Sequence, residues 1–133
     1  MTRQLHFGLH PYGVGGPGSD GLWKDARVAK NASVDIDYYI DLAKLAERGL
    51  FDAFFIVDSQ FINADYPPHY LNRLEPLTLL SAVATHTKNI GLVATASSTY
   101  NSPFNLARRV ASLAIVRLLV KEGREAWAGR ECC

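Results

Sequence analysis

The stretch Ala53-Phe54-Phe55-Ile56-Val57 is an unbroken run of apolar, strand-forming residues, and it ends at Asp58. A strand with one face in water alternates apolar and polar residues, whereas a continuous apolar run is typical of a parallel strand covered on both faces. Parallel strands cannot be joined by a tight turn, so each connection has to cross back over the sheet, usually as a helix. The run therefore predicts an α/β protein in which helices alternate with buried parallel strands.

The segments around this run repeat the alternation. Residues 5–10 and 90–95 are predicted as a first and a third strand, and the third is again expected to be buried. Residues 34–48 are predicted as a helix with Ser33 as its N-cap and Gly49 as its stop. The inner face of that helix follows the helical spacing of three and four, and we expect it to consist of Ile36, Tyr39, Ile40, Ala43 and Ala46.

Two further helices are predicted in the second half of the chain. Glu75-Pro76 opens one, which Lys88 and Asn89 close, and its apolar stripe is Leu77, Leu80, Val83 and Ala84. Ser102-Pro103 opens the other as N-cap and first helical residue, with an apolar stripe formed by Phe104, Ala107, Val110, Ala111 and Ala114.

The resulting order of strand and helix, repeated three times, predicts a parallel sheet with right-handed crossovers. Both an open doubly wound sheet and a closed eight-stranded (β/α) barrel accept this order. A complete barrel takes roughly 250 residues, and the chain has 133. As a barrel, the sequence therefore accounts for about three of eight units.

Composition narrows the possible partners. Fourteen basic and thirteen acidic residues leave a formal charge of +1, so neither nucleic acid nor a membrane surface is an expected partner. The two cysteines, Cys132 and Cys133, are adjacent, which gives neither a disulfide framework nor metal-ligand spacing. We expect a cytoplasmic protein without a metal site.

The glycine-rich segment 13–18 matches the dinucleotide-binding pattern G-x-G-x-x-G after a strand, but it is read here as a flexible loop. In a dinucleotide site the helix begins at the glycines, so that its N-terminal amides face the pyrophosphate. The predicted N-cap, Ser33, lies fifteen residues after Gly18.

Polar side chains follow each of the three predicted strands. His10, Asp58 and Thr95 stand at the carboxyl ends, which is where parallel sheets and barrels bind their ligands. A carboxylate in this position also occurs as a loop residue that is bonded to its own backbone, and position alone does not separate the two roles of Asp58. The convergence of three polar groups favours a binding site at one mouth, with His10 in a substrate pocket.

Several separated segments resemble the nitrilotriacetate and dibenzothiophene sulfone monooxygenase group of the bacterial luciferase-like superfamily. They are residues 51–58, 73–80 and 90–100, followed by Pro103 and Ala107-Arg108-Arg109. The resemblance extends from about residue 4 to residue 113. It implies the N-terminal part, about three βα units, of a luciferase-like TIM (β/α)8 barrel.

Members of that family are similar in using reduced FMN, supplied by a separate flavin reductase, and O2 to oxygenate a small organic substrate. The resemblance implies that Asp58 and Thr95 touch the flavin, and that Ala96 and Ser97 lie where the backbone bends beneath its ring. Glu75 and Arg108 also fit the family pattern, and we interpret them as helix-terminal or ion-pair residues. The catalytic residues are not identified by the sequence.

The resemblance stops after Leu113. We therefore expect residues 1–113 to be a barrel portion and residues 114–133 to be a divergent tail, with truncation as the explanation. Such a chain would be inactive, and it would self-associate through the hydrophobic edge of the third strand. The alternatives are a non-catalytic α/β module that binds a ligand, and an incomplete product without a function of its own.

Overall fold

The structure is a computed structural model that describes residues 4–14, 21–59 and 73–122. Its strands are β1 (Gly8–Leu9), β2 (Ala53–Ile56) and β3 (Gly91–Ala94), and its α-helices are α1 (Ile36–Arg48), α2 (Pro76–Ala84) and α3 (Pro103–Glu122), with a 3-10 helix at Leu22–Lys24. The predicted alternation of strands and helices is confirmed.

The three strands form one parallel sheet in the order β1-β2-β3. A doubly wound sheet reverses its strand order at a switch point, whereas a barrel adds its strands in sequence. Right-handed crossovers in an unreversed order place all the connecting helices on the same face of the sheet. The observed order is that of consecutive barrel strands, and it agrees with the barrel that the resemblance implies.

The core lies between this face of the sheet and helices α1 and α2. Phe54 and Ile56 point into it from β2, and the Phe54 side chain has no exposed surface. The predicted stripes are confirmed: Tyr39, Ile40, Ala43 and Ala46 are buried on α1, as are Leu77, Leu80, Val83 and Ala84 on α2. Ile36 is half-buried against the same cluster.

The prediction that β3 is buried on both faces was wrong. Leu92 and Ala94 are half-buried toward the helices, whereas Gly91 is exposed and Val93 keeps 43% of its surface exposed. The same asymmetry appears in β2, where Ala53 and Phe55 are only half-buried. In a barrel this second face points into the barrel interior, so helices cover only the first.

The N-cap of α1 is Asp35, two residues after the predicted Ser33. The Asp35 carboxylate accepts hydrogen bonds from the amides of Asp37 at 3.1 Å and Tyr38 at 3.4 Å. Ser33 is buried instead, and its Oγ accepts a bond from the amide of Val14 at 3.2 Å. The serine is therefore engaged by the loop after β1, and the carboxylate two residues later caps the helix.

Helix α2 begins as predicted but ends earlier. Glu75 caps its first turn by accepting bonds from the amides of Leu77 and Thr78, which confirms its helix-terminal role. The helix ends at Ala84, with Thr85 as C-cap, and not at Lys88 and Asn89. The reason is that the amides of Lys88 and Asn89 bond to the carboxylate of Glu47 on α1.

Helix α3 opens as predicted, and the amide of Asn105 bonds to Ser102 Oγ at 3.3 Å. Its predicted apolar stripe is exposed, however: Phe104, Ala107, Val110, Ala111 and Ala114 all face outward. The helix faces α2 with Leu113 and Val116 instead. No secondary-structure boundary falls at residue 113, since α3 continues through it to Glu122.

Candidate functional site

The sheet brings the predicted site residues to one edge. In the parallel register Leu9 lies opposite Phe54, and Ile56 lies opposite Ala94. His10 and Thr95 directly follow β1 and β3, Asp58 lies two residues after the end of β2, and all three are half-buried. The Thr95 amide extends the β2–β3 pairing by bonding to the carbonyl oxygen of Ile56 at 3.0 Å.

His10 is held by aromatic contacts. Its ring centroid lies 5.2 Å from that of Phe55 and 4.4 Å from that of Tyr12. Partial burial lowers the pKa of His10, and the positive charge of Arg73 lowers it further. The imidazole is therefore neutral at neutral pH, and a neutral ring can both donate and accept a hydrogen bond.

A cavity of about 40 Å³ adjoins His10 at this edge. Its polar lining consists of His10, Tyr12, Ser33, Tyr39 and Arg73, and the remaining walls include Ile56 and Leu79. Burial raises the pKa of Tyr39, as does its neighbour Tyr38, whereas the charge of Arg73 acts in the opposite sense. Sequence reasoning singled out neither Tyr12 nor Arg73, because nothing in their spacing shows that they meet His10.

The wall of this cavity depends on a close contact between two backbone segments. A Cβ at Gly13 would lie 2.3 Å from the Cα of Ser33, so only glycine fits. The Val14 amide bonds to Ser33 Oγ, and Tyr39 Oη donates to the Ser33 carbonyl oxygen at 3.5 Å. These contacts fix the segment after β1 against the start of α1.

The second face of the sheet is apolar where it meets the same edge. Phe55 and Val93 are register partners on it, and His10 contacts Phe55. Beyond β3, Ala96 is exposed and Ser97 is half-buried. The Ser97 carbonyl oxygen accepts a bond from Asn101 Nδ2 at 2.8 Å, which holds the bend after the strand. The edge thus combines an apolar floor with a polar rim.

Among residues 4–14, 21–59 and 73–122, no group of histidine, cysteine or acidic side chains could hold a metal ion. None of the described helices is long and apolar enough to cross a membrane. Residues 15–18 of the glycine loop, and Cys132 and Cys133, lie outside the described residues.

The chain belongs to the luciferase-like monooxygenase family, whose model matches residues 21–117. The match covers α1, α2, β2, β3 and the candidate edge after the last two strands, and it includes α3 as far as residue 117. The family resemblance predicted from the sequence is therefore confirmed. The match also extends four residues into the segment 114–133 that the sequence predicts as a divergent tail.

Two relatives give the degree of similarity. N-acetyl-S-(2-succino)cysteine monooxygenase of Bacillus subtilis is 44% identical over 111 residues, which is 84% of this chain and 25% of that protein. Nitrilotriacetate monooxygenase component A of Aminobacter aminovorans is 36% identical over 119 residues, covering 80% of this chain and 25% of the relative. The chain thus spans about a quarter of the length of these curated relatives.

Solved structures agree on the fold. The EDTA monooxygenase from Chelativorans sp. BNC1 superposes with a TM-score of 0.74 at 26% identity, over 86% of this chain and 26% of that chain. A riboflavin lyase, solved with a modified FMN and riboflavin, gives a TM-score of 0.71 at 26% identity, over 86% of this chain and 28% of that one. The α/β architecture is therefore that of the first βα units of a luciferase-like barrel.

Proposed function

We propose that this chain forms one side of the active site of an FMN-dependent monooxygenase, which oxygenates a small organic substrate with O2. The observation that carries the proposal is the shared edge at which His10, Asp58 and Thr95 follow three in-register parallel strands. Membership of a monooxygenase family supports the reaction type, and a structural neighbour solved with a modified FMN supports the cofactor.

The residues at the edge fit a flavin. An isoalloxazine ring is flat and largely apolar but carries hydrogen-bonding atoms along its rim. Phe55 and Val93 offer an apolar floor, while Asp58, Thr95 and the bend at Ala96-Ser97 provide polar groups beside it. We assign flavin contacts to Asp58, Thr95, Ala96 and Ser97, as expected from the resemblance.

The chemistry of oxygen activation would be supplied by reduced FMN, and the tasks of the protein are positioning and exclusion of water. The backbone of Thr95 is fixed by the hydrogen bond that its N–H donates to the carbonyl oxygen of Ile56. Asp58 supplies an acceptor for an N–H at the ring edge. His10, whose ring is tilted by 44° against that of Phe55, borders the proposed substrate side.

The proposed setting is that of a two-component system in the cytoplasm. The name "component A" of the nitrilotriacetate relative favours a separate reductase as the source of reduced flavin. Barrels often bind phosphate with loops after their seventh and eighth strands, which lie outside the three units described here. Binding by these units alone is therefore expected to be weak, and turnover is proposed for the whole barrel.

A fluorescence titration with oxidised FMN tests the proposal. Asp58→Asn and Thr95→Val are each expected to weaken binding by about tenfold, which corresponds to roughly 1.4 kcal/mol. Asp41→Asn, a substitution on the exposed side of α1, is the matched control and should not change it. A cooperative thermal melt without any response to flavin would favour a non-catalytic ligand-binding module. The absence of a cooperative melt would favour the incomplete product.

A further inference from the structure

We infer that Asn101 and Arg109 are positioning residues of the proposed flavin site, because together they hold the bend at Ala96-Ser97 from the side of α3. Neither side chain is assigned a contact with the flavin itself. The inference rests on the proposed function and adds to it the residues that place one wall of the site.

The side-chain amide of Asn101 links the bend to α3. Its Nδ2 donates to the Ser97 carbonyl oxygen at 2.8 Å, across the turn formed by residues 98–100. Its Oδ1 accepts a hydrogen bond from Nη2 of Arg109. The amide thus uses a donor on the bend and its acceptor on the helix, and the two bonds together fix which way it faces. Arg109 therefore orients the group that holds Ser97.

Arg109 reaches Asn101 from within α3. The helix begins at Pro103, so Arg109 lies in its second turn. Side chains on a helix lean toward its N-terminus, which lets the long guanidinium pass the first turn and meet Asn101, eight residues earlier in the chain. The helix is itself tied to the start of β3 through Arg117. The bend is therefore held by an element that is anchored elsewhere on the sheet.

The charge of Arg109 also acts on the N-terminus of α2. Burial raises the pKa of the Glu75 carboxyl, but hydrogen bonds from Thr78 and Leu77 and the charge of Arg109 hold that pKa below its ordinary value. Glu75 and Arg109 line the same groove between α2 and α3. Arg109 therefore couples the N-terminal ends of both helices to the bend after β3.

The bend is the part of the proposed site that depends most on such support. Among the described residues, the N–H of Thr95 makes the last hydrogen bond from this segment to β2. Ala96 and Ser97 come directly after it, so pairing with the sheet does not set the direction of their peptide groups. A displacement of about 1 Å in a positioning group is enough to weaken a ligand contact. The Asn101 bond supplies the missing constraint.

The first test compares Arg109→Gln with Arg108→Gln in the full chain, by FMN fluorescence titration and by backbone-amide NMR. Arg108 is the matched control, since it carries the same charge, is exposed and lines the same groove. Among the described residues its guanidinium does not bond to Asn101. Arg109→Gln should weaken FMN binding by about fivefold and move the amide resonances of Ser97 and Ser98, whereas Arg108→Gln should change neither.

Asn101→Asp separates positioning of the bend from stabilisation of the helix. The aspartate keeps an acceptor for Arg109 and places a negative charge just before the N-terminus of α3, where such a charge is favourable. It can no longer donate to the Ser97 carbonyl oxygen. The Tm should therefore stay the same or rise, while FMN binding weakens by about fivefold. A role limited to stabilising α3 would leave FMN binding unchanged in this variant.

The outcomes separate this inference from the proposed function. Unchanged FMN affinity in folded Asn101→Asp and Arg109→Gln proteins would overturn the positioning role and leave the flavin site standing. Equal losses in Arg109→Gln and Arg108→Gln would also overturn it, because loss of positive charge alone would explain them. If the wild-type chain does not respond to FMN, the proposed function is overturned and the positioning role falls with it.

Discussion

The guanidinium of Arg117 donates a hydrogen bond to the carbonyl oxygen of Ile90 at 2.5 Å, and so ties α3 to the residue that precedes β3. The same side chain donates to Thr87 Oγ1 at 2.6 Å. From the other side, Glu47 on α1 accepts bonds from the amides of Lys88, Asn89 and Ile90. The turn between α2 and β3 is thus held by side chains from two other helices.

Arg117→Ala should destabilise the fold by about 2–3 kcal/mol. The substitution removes the two charge-assisted hydrogen bonds to Thr87 and Ile90 and leaves a cavity where the half-buried side chain lay. Lys121→Ala, an exposed position on the same helix, is the control and should change stability by less than about 0.5 kcal/mol. Urea denaturation of the three proteins measures the difference. Equal midpoints for Arg117→Ala and Lys121→Ala would show that α3 is not anchored through this residue.

The stability that Glu47 provides should depend on pH. Burial raises the pKa of its carboxyl, but the three backbone amides and the charge of Arg117 outweigh burial and hold the pKa below the usual 4.5. A pKa depressed in the folded state means that the unfolded state binds more protons, so this contribution is present above the ordinary value and is lost as pH falls through the folded one.

Comparing wild type with Glu47→Gln isolates that contribution. The difference between their free energies of unfolding should be largest near neutral pH and should shrink as pH is lowered from about 5 toward 3. Denaturant titrations at several pH values measure it. A difference that is constant over this range would contradict the assignment.

Leu50→Gly should stabilise the protein by about 0.5–1 kcal/mol. Leu50 follows the C-cap of α1 with a φ of 59°, a left-handed conformation that disfavours a branched side chain. The leucine is also 85% exposed, so that little packing is lost. Thermal unfolding of the variant should show a higher Tm, and a lower one would mean that the side chain contributes packing that outweighs the backbone strain.

Gly13→Ala should destabilise the fold by about 2–3 kcal/mol, since the new Cβ would meet the backbone of Ser33 and the segment after β1 would have to move. Gly21→Ala is a matched control, because a Cβ there meets no atom within 4 Å. The His10 ring resonances should also move in Gly13→Ala and stay unchanged in Gly21→Ala. Identical stability of the two variants would refute the close contact.

Periodicity predicted the parts of the fold that depend on local pattern. The apolar residues on the inner faces of α1 and α2 recur at helical spacing in the sequence, and these residues are the ones buried in the structure. The N-terminus of α1 shows the limit of this kind of prediction. Ser33 and Asp35 are both good N-caps, and the choice between them depends on the distant amide of Val14, which the local sequence does not show.

The predictions that were wrong or missing have the same cause, which is contact between residues that are distant in the sequence. The predicted stripe of α3 is a regular helical face, yet the rotation of the helix is fixed by the bonds from Arg117 to Thr87 and Ile90. The candidate site was predicted at the carboxyl edge because topology dictates where strand ends meet. Its cavity was not predicted, because Tyr12 and Arg73 reach it from loops whose paths leave no periodic signal.

The most direct test of the central claim is to map FMN binding on the backbone amides by NMR. The proposal predicts that shifts cluster at the carboxyl edge, at Asp58, Thr95, Ala96 and Ser97, while the amides of Lys88, Asn89 and Ile90 at the opposite end of the sheet remain unchanged. Shifts at the opposite end, or none at the carboxyl edge at saturating FMN, would contradict a flavin site formed by these three strand ends.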